Sequence, residues 1–469
     1  MDATAQAELV ERGEVTPLEL TEAAIERIEA LDGPINAVIM RWFDHAREVA
    51  TSPELPDGPF RGVPFLLKDL WAAYAGQPLT NGNVALRDAQ PISADDTTIV
   101  SRFRDAGLVT LGRTNSPELG SLPVTEPVAY GPTRNPWNTD HVPGGSSGGA
   151  AAAVAAGMVP IAHASDGGGS IRIPASCCGL VGLKTSQGRI TVGPARTESG
   201  LGVELCVSRS VRDTARLLDA VHGPGVGDTV IAPAPERPYV DEVGADPGRL
   251  RIGLLDRHPG GGFVHDDCVT AVRDAATLLE SLGHSVEPGF PAPLGDPSFT
   301  PRFMSMWGAN MALGLEGYAA ALGRPLTEDE VEPVNWAQAQ FAAHITSVDY
   351  AKALAAVAEF RRQVQQWWAD GFDLLLTPTL AEPPVQVGDH DPTPDDPMAG
   401  MKRAARFVPF TPPFNASGQP AINVPLSWND AGLPIGIQLV AAYGREDVLI
   451  RAAGQLEAAQ PWAHRTPGN

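Results

Sequence analysis

Positive charge is scarce in this sequence. Its 34 lysines and arginines stand against 56 aspartates and glutamates, which gives a formal net charge of −22. A nucleic-acid backbone and an anionic membrane surface are both negatively charged, so a protein of the same sign is repelled by them. The composition therefore predicts that neither nucleic acid nor a membrane is a partner.

Cysteine is also scarce, and long apolar runs are missing. The four cysteines, Cys177, Cys178, Cys206 and Cys268, show no C-x-x-C spacing, and an adjacent pair cannot form a disulfide without strain. This usage is typical of a reducing compartment. Residues 1–10 lack the basic start and apolar run of a secretory signal, and no stretch of about 18 apolar residues occurs. We therefore predict a cytoplasmic protein.

Metal-binding and phosphate-binding motifs are absent from the sequence too. No cluster of histidines and cysteines has the spacing of metal ligands, and no Gly-Lys-Ser/Thr follows the glycine-rich stretches. We expect no metal and no cofactor.

The sequence does contain the residues of a large folded core. It has 469 residues, of which 43% are hydrophobic and 19% charged, the balance of a globular protein. Apolar residues at helical spacing after a capping box at Thr16–Glu19 predict a helical region over residues 16–50. Short apolar runs predict five strands, at Val63–Leu67, Leu108–Leu111, Val159–Ala162, Arg251–Leu255 and Asp373–Thr377. Strands that alternate with helices indicate an α/β layered fold.

Three further regions are distinguished by composition. Prolines and glycines without periodicity predict surface segments at Pro224–Pro247 and Glu382–Pro397. Between them, Pro301–Trp368 has a mostly helical pattern and includes a second capping box at Thr327–Glu330.

Two glycine-rich loops are the most informative part of the sequence. Gly144–Gly149 comes first, and Gly167–Gly169 directly precedes Ser170. Consecutive glycines allow several backbone N–H groups to converge on one point, where they can stabilise an oxyanion. The neighbouring runs Ile171–Pro174 and Leu180–Leu183 are too apolar for a flexible linker. We therefore interpret this region as a buried core with glycine turns and a candidate serine nucleophile.

A serine nucleophile needs a base within hydrogen-bond reach. Histidine is the usual base, but His141 and His163 flank the glycine loops only in sequence. Lys68 follows an apolar strand and precedes Asp69, so we expect a partly desolvated amine at the end of that strand. Desolvation lowers the pKa of a lysine and makes it available as a base. The alternative is an exposed Lys68 paired with Asp69.

A different enzyme class gives another interpretation of the first loop. Gly144–Gly148 fits the G-x-S-x-G nucleophile elbow of α/β-hydrolases, which would make Ser146 the nucleophile. That elbow requires a strand directly before Gly144, whereas residues 135–143 are turn-like in composition.

Several stretches of the chain resemble the amidase signature family in order and spacing. They are Gly62–Asp69, Gly112–Glu118, Tyr130–Asn138, Gly144–Gly149, Asp166–Pro174, Cys178–Lys184, Ser210–Asp213 and Phe414–Ala421. The resemblance covers almost the whole chain. It implies a single large α/β domain over residues 1–469, with a central mixed sheet covered by helices. It also implies a core signature region at about 62–190 and a helical insert beside the substrate pocket at about 296–368.

The resemblance further implies a Ser–Ser–Lys triad and hydrolysis of carboxylic amides through an acyl-enzyme. The family has its bridging serine 24 residues before the nucleophile, and the same spacing separates Ser146 from Ser170. Ser146 is then the bridge, Ser170 the nucleophile and Lys68 the base, and the Gly145–Ser146 bond is expected to be cis.

The remaining site residues also follow from the resemblance. Asp166 and Arg172 are expected to hold the nucleophile loop, and Ser147 to make local hydrogen bonds. The implied oxyanion hole consists of the backbone N–H groups of Gly167, Gly168, Gly169 and Ser170. The chain departs from the family pattern at Ser165, where threonine is usual, and at Thr185, where proline is usual. Neither departure is expected to touch the proton path.

The substrate side is less determined by the sequence. Met304, Trp307 and Asn310 are bulky or polar residues on the helical insert, and we predict that they line the pocket, with core packing as the alternative. A small linear or cyclic amide is the expected substrate, and esters and carbamates share its carbonyl geometry. The other function weighed is that of an amidase-like subunit of a tRNA-dependent amidotransferase. A homodimer is the family expectation.

Overall fold

Helices begin where the sequence supplies their caps. The computed structural model describes residues 1–194, 196 and 201–468, and every side chain among them except that of Phe299. At the predicted capping box, the Glu19 amide donates to Thr16 Oγ1 and the Thr16 amide donates to the Glu19 carboxylate, so a helix starts at Pro17. The helices are α1 Ala3–Glu11, α2 Pro17–Leu31, α3 Phe43–Thr51, α4 Val84–Ala89, α5 Thr98–Asp105, α6 Gly148–Ala155, α7 Arg172–Cys178, α8 Val211–Val221, α9 Asp266–Ser281, α10 Phe299–Leu322, α11 Pro333–Ala342, α12 Ser347–Ala369, α13 Ala399–Phe407, α14 Pro412–Ser417 and α15 Glu446–Ala459.

One mixed sheet runs through the described part of the chain. Its strands are β1 Val38–Arg41, β2 Pro64–Lys68, β3 Val109–Thr114, β4 Ile161–Asp166, β5 Val181–Lys184, β6 Val203–Ser208, β7 Arg251–Leu254, β8 Ser285–Pro288, β9 Leu374–Pro378, β10 Ala421–Trp428 and β11 Pro434–Ala441. They lie in the order β1-β3-β2-β4-β6-β5-β10-β11-β9-β7-β8. The predicted α/β fold, with a large mixed sheet flanked by helices in a single domain, is confirmed.

Two central parallel strands position the site. In β2 and β4 every residue is buried, because helices cover both faces of the sheet. The strands are in register at Phe65–Ile161 and Leu66–Ala162. Parallel strands end at the same edge of a sheet, so Lys68 at the end of β2 lies beside the last residues of β4.

The predicted helical insert forms three helices, α10, α11 and α12. Leu119, from the loop after β3, packs with Met311, Leu315 and Tyr318 of α10 in a separate small core cluster. The insert therefore contacts the edge of the sheet where β2 and β4 end.

The two proline-rich regions run mostly over the surface, as predicted, but buried side chains anchor them. Tyr239 and His390 are 1% and 2% exposed. All four cysteines are free and buried. None of the helices in the described residues combines the length and apolar character needed to cross a membrane.

Candidate active site

Lys68 is a buried lysine surrounded by hydroxyl groups. Its Nζ lies 2.7 Å from Ser146 Oγ and 3.0 Å from Ser165 Oγ. Asp69 does not pair with it but accepts hydrogen bonds from the backbone amides of Thr80 and Gly82. The alternative of an exposed Lys68–Asp69 pair is therefore wrong.

Burial makes Lys68 a base near neutral pH. Desolvation is the largest influence and lowers the pKa of Lys68 to about 7, while Asp166 and Glu204 act in the opposite direction and Arg196 adds to the lowering. A lysine with this pKa is substantially neutral in the physiological range, and its lone pair can accept a proton.

Ser146 lies between Lys68 and the cavity. The Gly145–Ser146 bond is cis, and α6 begins two residues later. The Gly120 backbone packs against Ser146, since a Cβ at Gly120 would lie 3.0 Å from Ser146 Oγ. Ser147 Oγ is instead 3.3 Å from both the amide and the carbonyl of Ser165, which is the local role predicted for it.

Ser170 is held by a rigid loop between β4 and α7. The Asp166 carboxylate accepts hydrogen bonds from the amides of Gly169, at 2.7 Å, and Ile171, at 3.2 Å. It also forms a two-point contact with Arg172, at 2.9 and 3.0 Å, and the Arg172 guanidinium lowers the pKa of Asp166 to about 2 against the effect of burial. Ser170 Oγ has no hydrogen-bond partner among the described residues and faces the cavity.

The oxyanion hole differs from the prediction at one position. The Gly169 amide is committed to the Asp166 carboxylate and so cannot serve as predicted. Gly169 has φ +135°, a conformation open to glycine, and a Cβ there would collide with the Thr411 side chain. Within the described part of the chain, the N–H groups of Gly167, Gly168 and Ser170 have no acceptor. These three are the candidate donors.

The site opens into one cavity of about 620 Å³, which Ser146, Ser165 and Ser170 all line. Trp307 and Asn310 line it as well, as the sequence suggests. Met304 does not. It lies one turn nearer the start of α10, beyond the cavity, and packs against a cluster of buried residues that includes Phe303 and Met306.

A charged cluster behind Lys68 was not predicted. Arg196 lines the cavity and forms an ion pair with the buried Glu204 of β6. His163 Nδ1 accepts a 3.4 Å hydrogen bond from the Lys68 amide, and burial holds the pKa of His163 well below its usual range. β4 thus carries His163 to the backbone of Lys68, a contact that its position in the sequence did not predict.

Ser165 also requires a correction. The expectation that this departure from the family pattern lies away from the proton path is contradicted by the 3.0 Å contact with Lys68 Nζ. The parallel register of β2 and β4, which places Ser165 beside Lys68, is the signal that sequence inspection missed. Among the described residues, no group of three or more His, Cys, Asp or Glu side chains is arranged to hold a metal ion.

The local topology distinguishes the two serines. A strand, a glycine loop and a helix surround Ser170, in that order. Residues 135–143 form no strand before Ser146, so the α/β-hydrolase elbow does not fit there.

The site suits attack by a serine on a carboxyl carbon, which is the chemistry of amide and ester hydrolases. Within that class one family accounts for the chain: the family described as Amidase matches residues 19–450, and the chain belongs to it. The protein is an enzyme that hydrolyses carbon–nitrogen bonds other than peptide bonds.

Particular relatives extend over the whole chain. The 6-aminohexanoate-cyclic-dimer hydrolases of Pseudomonas sp. (strain NK87) and Paenarthrobacter ureafaciens are each 44% identical over 476 residues, which cover 99% of this chain and 96% of theirs. The solved structure of 6-aminohexanoate cyclic dimer hydrolase complexed with substrate matches with a TM-score of 0.96 and 43% identity, covering 100% of this chain and 98% of that one. A bacterial aryl acylamidase of the amidase signature family matches with a TM-score of 0.85 and 29% identity, over 99% of this chain and 97% of its own.

Three segments of the sequence also resemble the cyclic dimer hydrolases among these relatives. The segments Asp2–Val10, Gly323–Asp329 and Ala441–Asp447 resemble the 6-aminohexanoate cyclic dimer hydrolase subgroup. They lie outside the cavity lining, so they support kinship and not substrate identity.

Proposed function

We propose that the protein hydrolyses small amides through an acyl-enzyme formed on Ser170. The observation that carries this proposal is the 2.7 Å contact between the Lys68 amine and the Ser146 hydroxyl, beside a cavity that Ser170 also lines. Neutral Lys68 takes the proton of Ser146 while Ser146 takes that of Ser170, and Ser170 Oγ bonds to the carbonyl carbon. The amides of Gly167, Gly168 and Ser170 stabilise the resulting oxyanion.

The second half of the reaction reverses the relay. Lys68 returns its proton through Ser146 to the leaving amine as the carbon–nitrogen bond breaks. A water molecule then gives a proton to the relay and attacks the acyl carbon, and the relay passes that proton to Ser170 Oγ as the ester bond breaks and the carboxylic acid leaves. Asp166 and Arg172 act by holding the loop and not by contact with the substrate.

Small cyclic and linear aliphatic amides are the proposed substrates. The relatives named for the 6-aminohexanoate cyclic dimer support this class, and so does the mostly apolar cavity lining. The cyclic dimer of 6-aminohexanoate is the first substrate to test.

A serine-directed fluorophosphonate probe and an amide assay test the proposal together. The probe should label Ser170, and Ser170→Ala should abolish both labelling and hydrolysis. Labelling of Ser146 in the folded protein would overturn the proposed roles of the two serines. The assay uses the purified chain alone, because an amidotransferase subunit would require its partners whereas the proposed hydrolase does not.

The proposal includes a homodimer in the cytoplasm that binds no nucleic acid. The net charge of −22 supports the last point, and the family expectation supports the first. Sedimentation at several protein concentrations tests the dimer, since a single species of about 49 kDa would contradict it.

A further inference from the structure

The cavity next to Ser170 is long, and one face of helix α10 forms its wall. Trp307 marks the inner end, because its ring lies 3.6 Å from where a Cβ of Gly167 would be. The lining includes Trp307, Asn310, Gly314, Gly317 and Ala321 of α10, which follow one another at three or four positions along one face of the helix. Ala321 lies fourteen positions after Trp307, and at 1.5 Å per residue the wall extends about 21 Å.

The cavity is lined by serine hydroxyl groups at its inner end and mainly by apolar side chains at its outer end. Arg196 and Glu316 are the charged side chains that line the cavity in the described residues, and Arg196 is paired with Glu204. The outer lining includes Ile92 and Leu313, which are 61% and 65% exposed. The cavity therefore opens to solvent through a rim that is mostly apolar but includes the exposed Glu316.

Two of the three glycines within α10, Gly314 and Gly317, line the cavity and have different surroundings. A Cβ at Gly314 would lie 2.6 Å from the Leu119 side chain, so packing explains that glycine. A Cβ at Gly317 would meet nothing within 4 Å, and Gly317 does not have the positive φ that favours glycine. Glycine in a helix interior is less stable than alanine, so neither packing nor backbone conformation accounts for Gly317, which lines the groove.

We propose that this cavity is a groove for an extended, uncharged arm of the amide substrate, which runs from Ser170 along α10 and leaves at Gly317 and Ala321. The inference rests on the proposed function and deepens it: linear amides with a long neutral arm are substrates in addition to compact cyclic ones. The arm belongs to the acyl part or to the amine part of the substrate, and the two cases differ only in the direction in which the amide binds.

Two neighbouring alanines provide a matched test. Ala320 and Ala321 are both exposed on α10, but only Ala321 lines the groove. Tryptophan at Ala321 should obstruct the outer end, and tryptophan at Ala320 should point elsewhere. Gly317→Leu should obstruct the groove four residues closer to Ser170, about 6 Å further in.

The experiment measures kcat/KM for two series of amides, one lengthened on the acyl side and one on the amine side. In the unmodified enzyme one series should rise by up to roughly fourfold per buried methylene and then level off when the arm passes the rim. For Ala321→Trp the rise should level off at a shorter arm, and for Gly317→Leu at a still shorter one. Ala320→Trp should follow the unmodified enzyme.

Binding to the Ser170→Ala variant, measured by calorimetry with the same amides, separates the inference from the proposed hydrolysis. Affinity that increases with arm length, without turnover by the unmodified enzyme, would refute the hydrolysis and support the groove. Turnover of short amides with no effect of arm length on binding or kcat/KM would refute the groove alone. Equal effects of Ala320→Trp and Ala321→Trp would refute it too.

Discussion

Lys68 is the residue on which the proposed chemistry depends, and its amine has no carboxylate in direct contact among the described residues. Its Nζ contacts two hydroxyl groups instead. A charged ammonium is therefore poorly compensated, and this explains why burial lowers the pKa of Lys68 to about 7.

The pH dependence of catalysis follows from this pKa. Because the base must be neutral, kcat/KM should rise with pH through a midpoint near 7 and stay level above it. Lys68→Ala should lower kcat roughly 10²- to 10⁴-fold, whereas Ser147→Ala should have a small effect. Steady-state assays from pH 5 to 9 measure both effects. A flat profile in the unmodified enzyme would contradict a lysine base.

Ser165 provides a second residue-scale prediction. Ser165→Ala removes an acceptor from Lys68 Nζ, which should cost about 1–3 kcal/mol of activation free energy and shift the pH midpoint downward, since the charged amine loses a partner. Ser165→Thr keeps the hydroxyl and should behave like the unmodified enzyme. If the alanine variant kept both the rate and the midpoint, Ser165 would have no part in tuning Lys68.

At the scale of elements, the loop between β4 and α7 is held by one buried ion pair. Arg172 contacts Asp166 and also donates to Thr411 O, Gln438 Oε1 and Asn415 Oδ1 at 2.7–3.0 Å. These partners come from the C-terminal part of the chain. The loop therefore depends on residues about 240 positions away for its shape.

Loss of this ion pair should destabilise the protein strongly. Arg172→Ala leaves the buried Asp166 charge unpaired and should lower the free energy of unfolding by about 3–5 kcal/mol, together with activity. Arg273→Ala, which breaks the exposed pair with Asp256, should cost about 0–1 kcal/mol. Urea unfolding of the two variants measures the difference. If both variants lost a similar free energy of unfolding, burial would not increase the contribution of the Arg172–Asp166 pair to stability.

Sequence patterns predicted some elements and missed others for identifiable reasons. The five predicted strands correspond to β2, β3, β4, β7 and β9, each an apolar run next to a helical pattern. The long strands β10 and β11 were missed. Pro425 interrupts β10, and the β10–β11 register shifts between Val424 and Ser427, around that proline.

In the site, too, some features could be predicted from the sequence and others could not. Lys68, Ser146 and Ser170 could be selected from motifs, because glycine loops and strand ends are local features. The Lys68–Ser165 contact and the commitment of the Gly169 amide to Asp166 depend on strand register and on loop conformation. Neither property can be obtained from spacing along the chain.

At the scale of the whole molecule, buried carboxyl groups contribute a stability that decreases with rising pH, whereas the activity is expected to increase. Burial raises the pKa of Glu332 to about 8, of Glu126 to about 7 and of Asp213 to about 6. The folded state holds these protons more tightly than the unfolded state, so the stability they contribute is lost as pH rises through 6–8. Above pH 7, Lys68 and Lys184 act in the opposite direction, since burial lowers the pKa of each to about 7.

Buried histidines such as His163 and His390 act against this loss below pH 7, because burial lowers their pKa values and favours their neutral forms. A comparison isolates one carboxyl: the Tm of Glu332→Gln, whose side chain can still accept from the Val128 amide, should rise relative to that of the unmodified protein as pH increases from 5 to 8. Calorimetry of both proteins across this range measures the difference. A Tm difference that does not change with pH would contradict the raised pKa of Glu332.

The four free, buried cysteines give the protein an internal reporter of opening. Burial raises the pKa of each thiol, so the folded protein presents no reactive thiolate to an alkylating reagent. Cys177 and Cys178 lie in α7 behind the nucleophile, Cys206 in β6 and Cys268 in α9. Alkylation followed by peptide mass spectrometry would thus time the exposure of α7, of β6 at the sheet centre and of α9 in one experiment, with no introduced label.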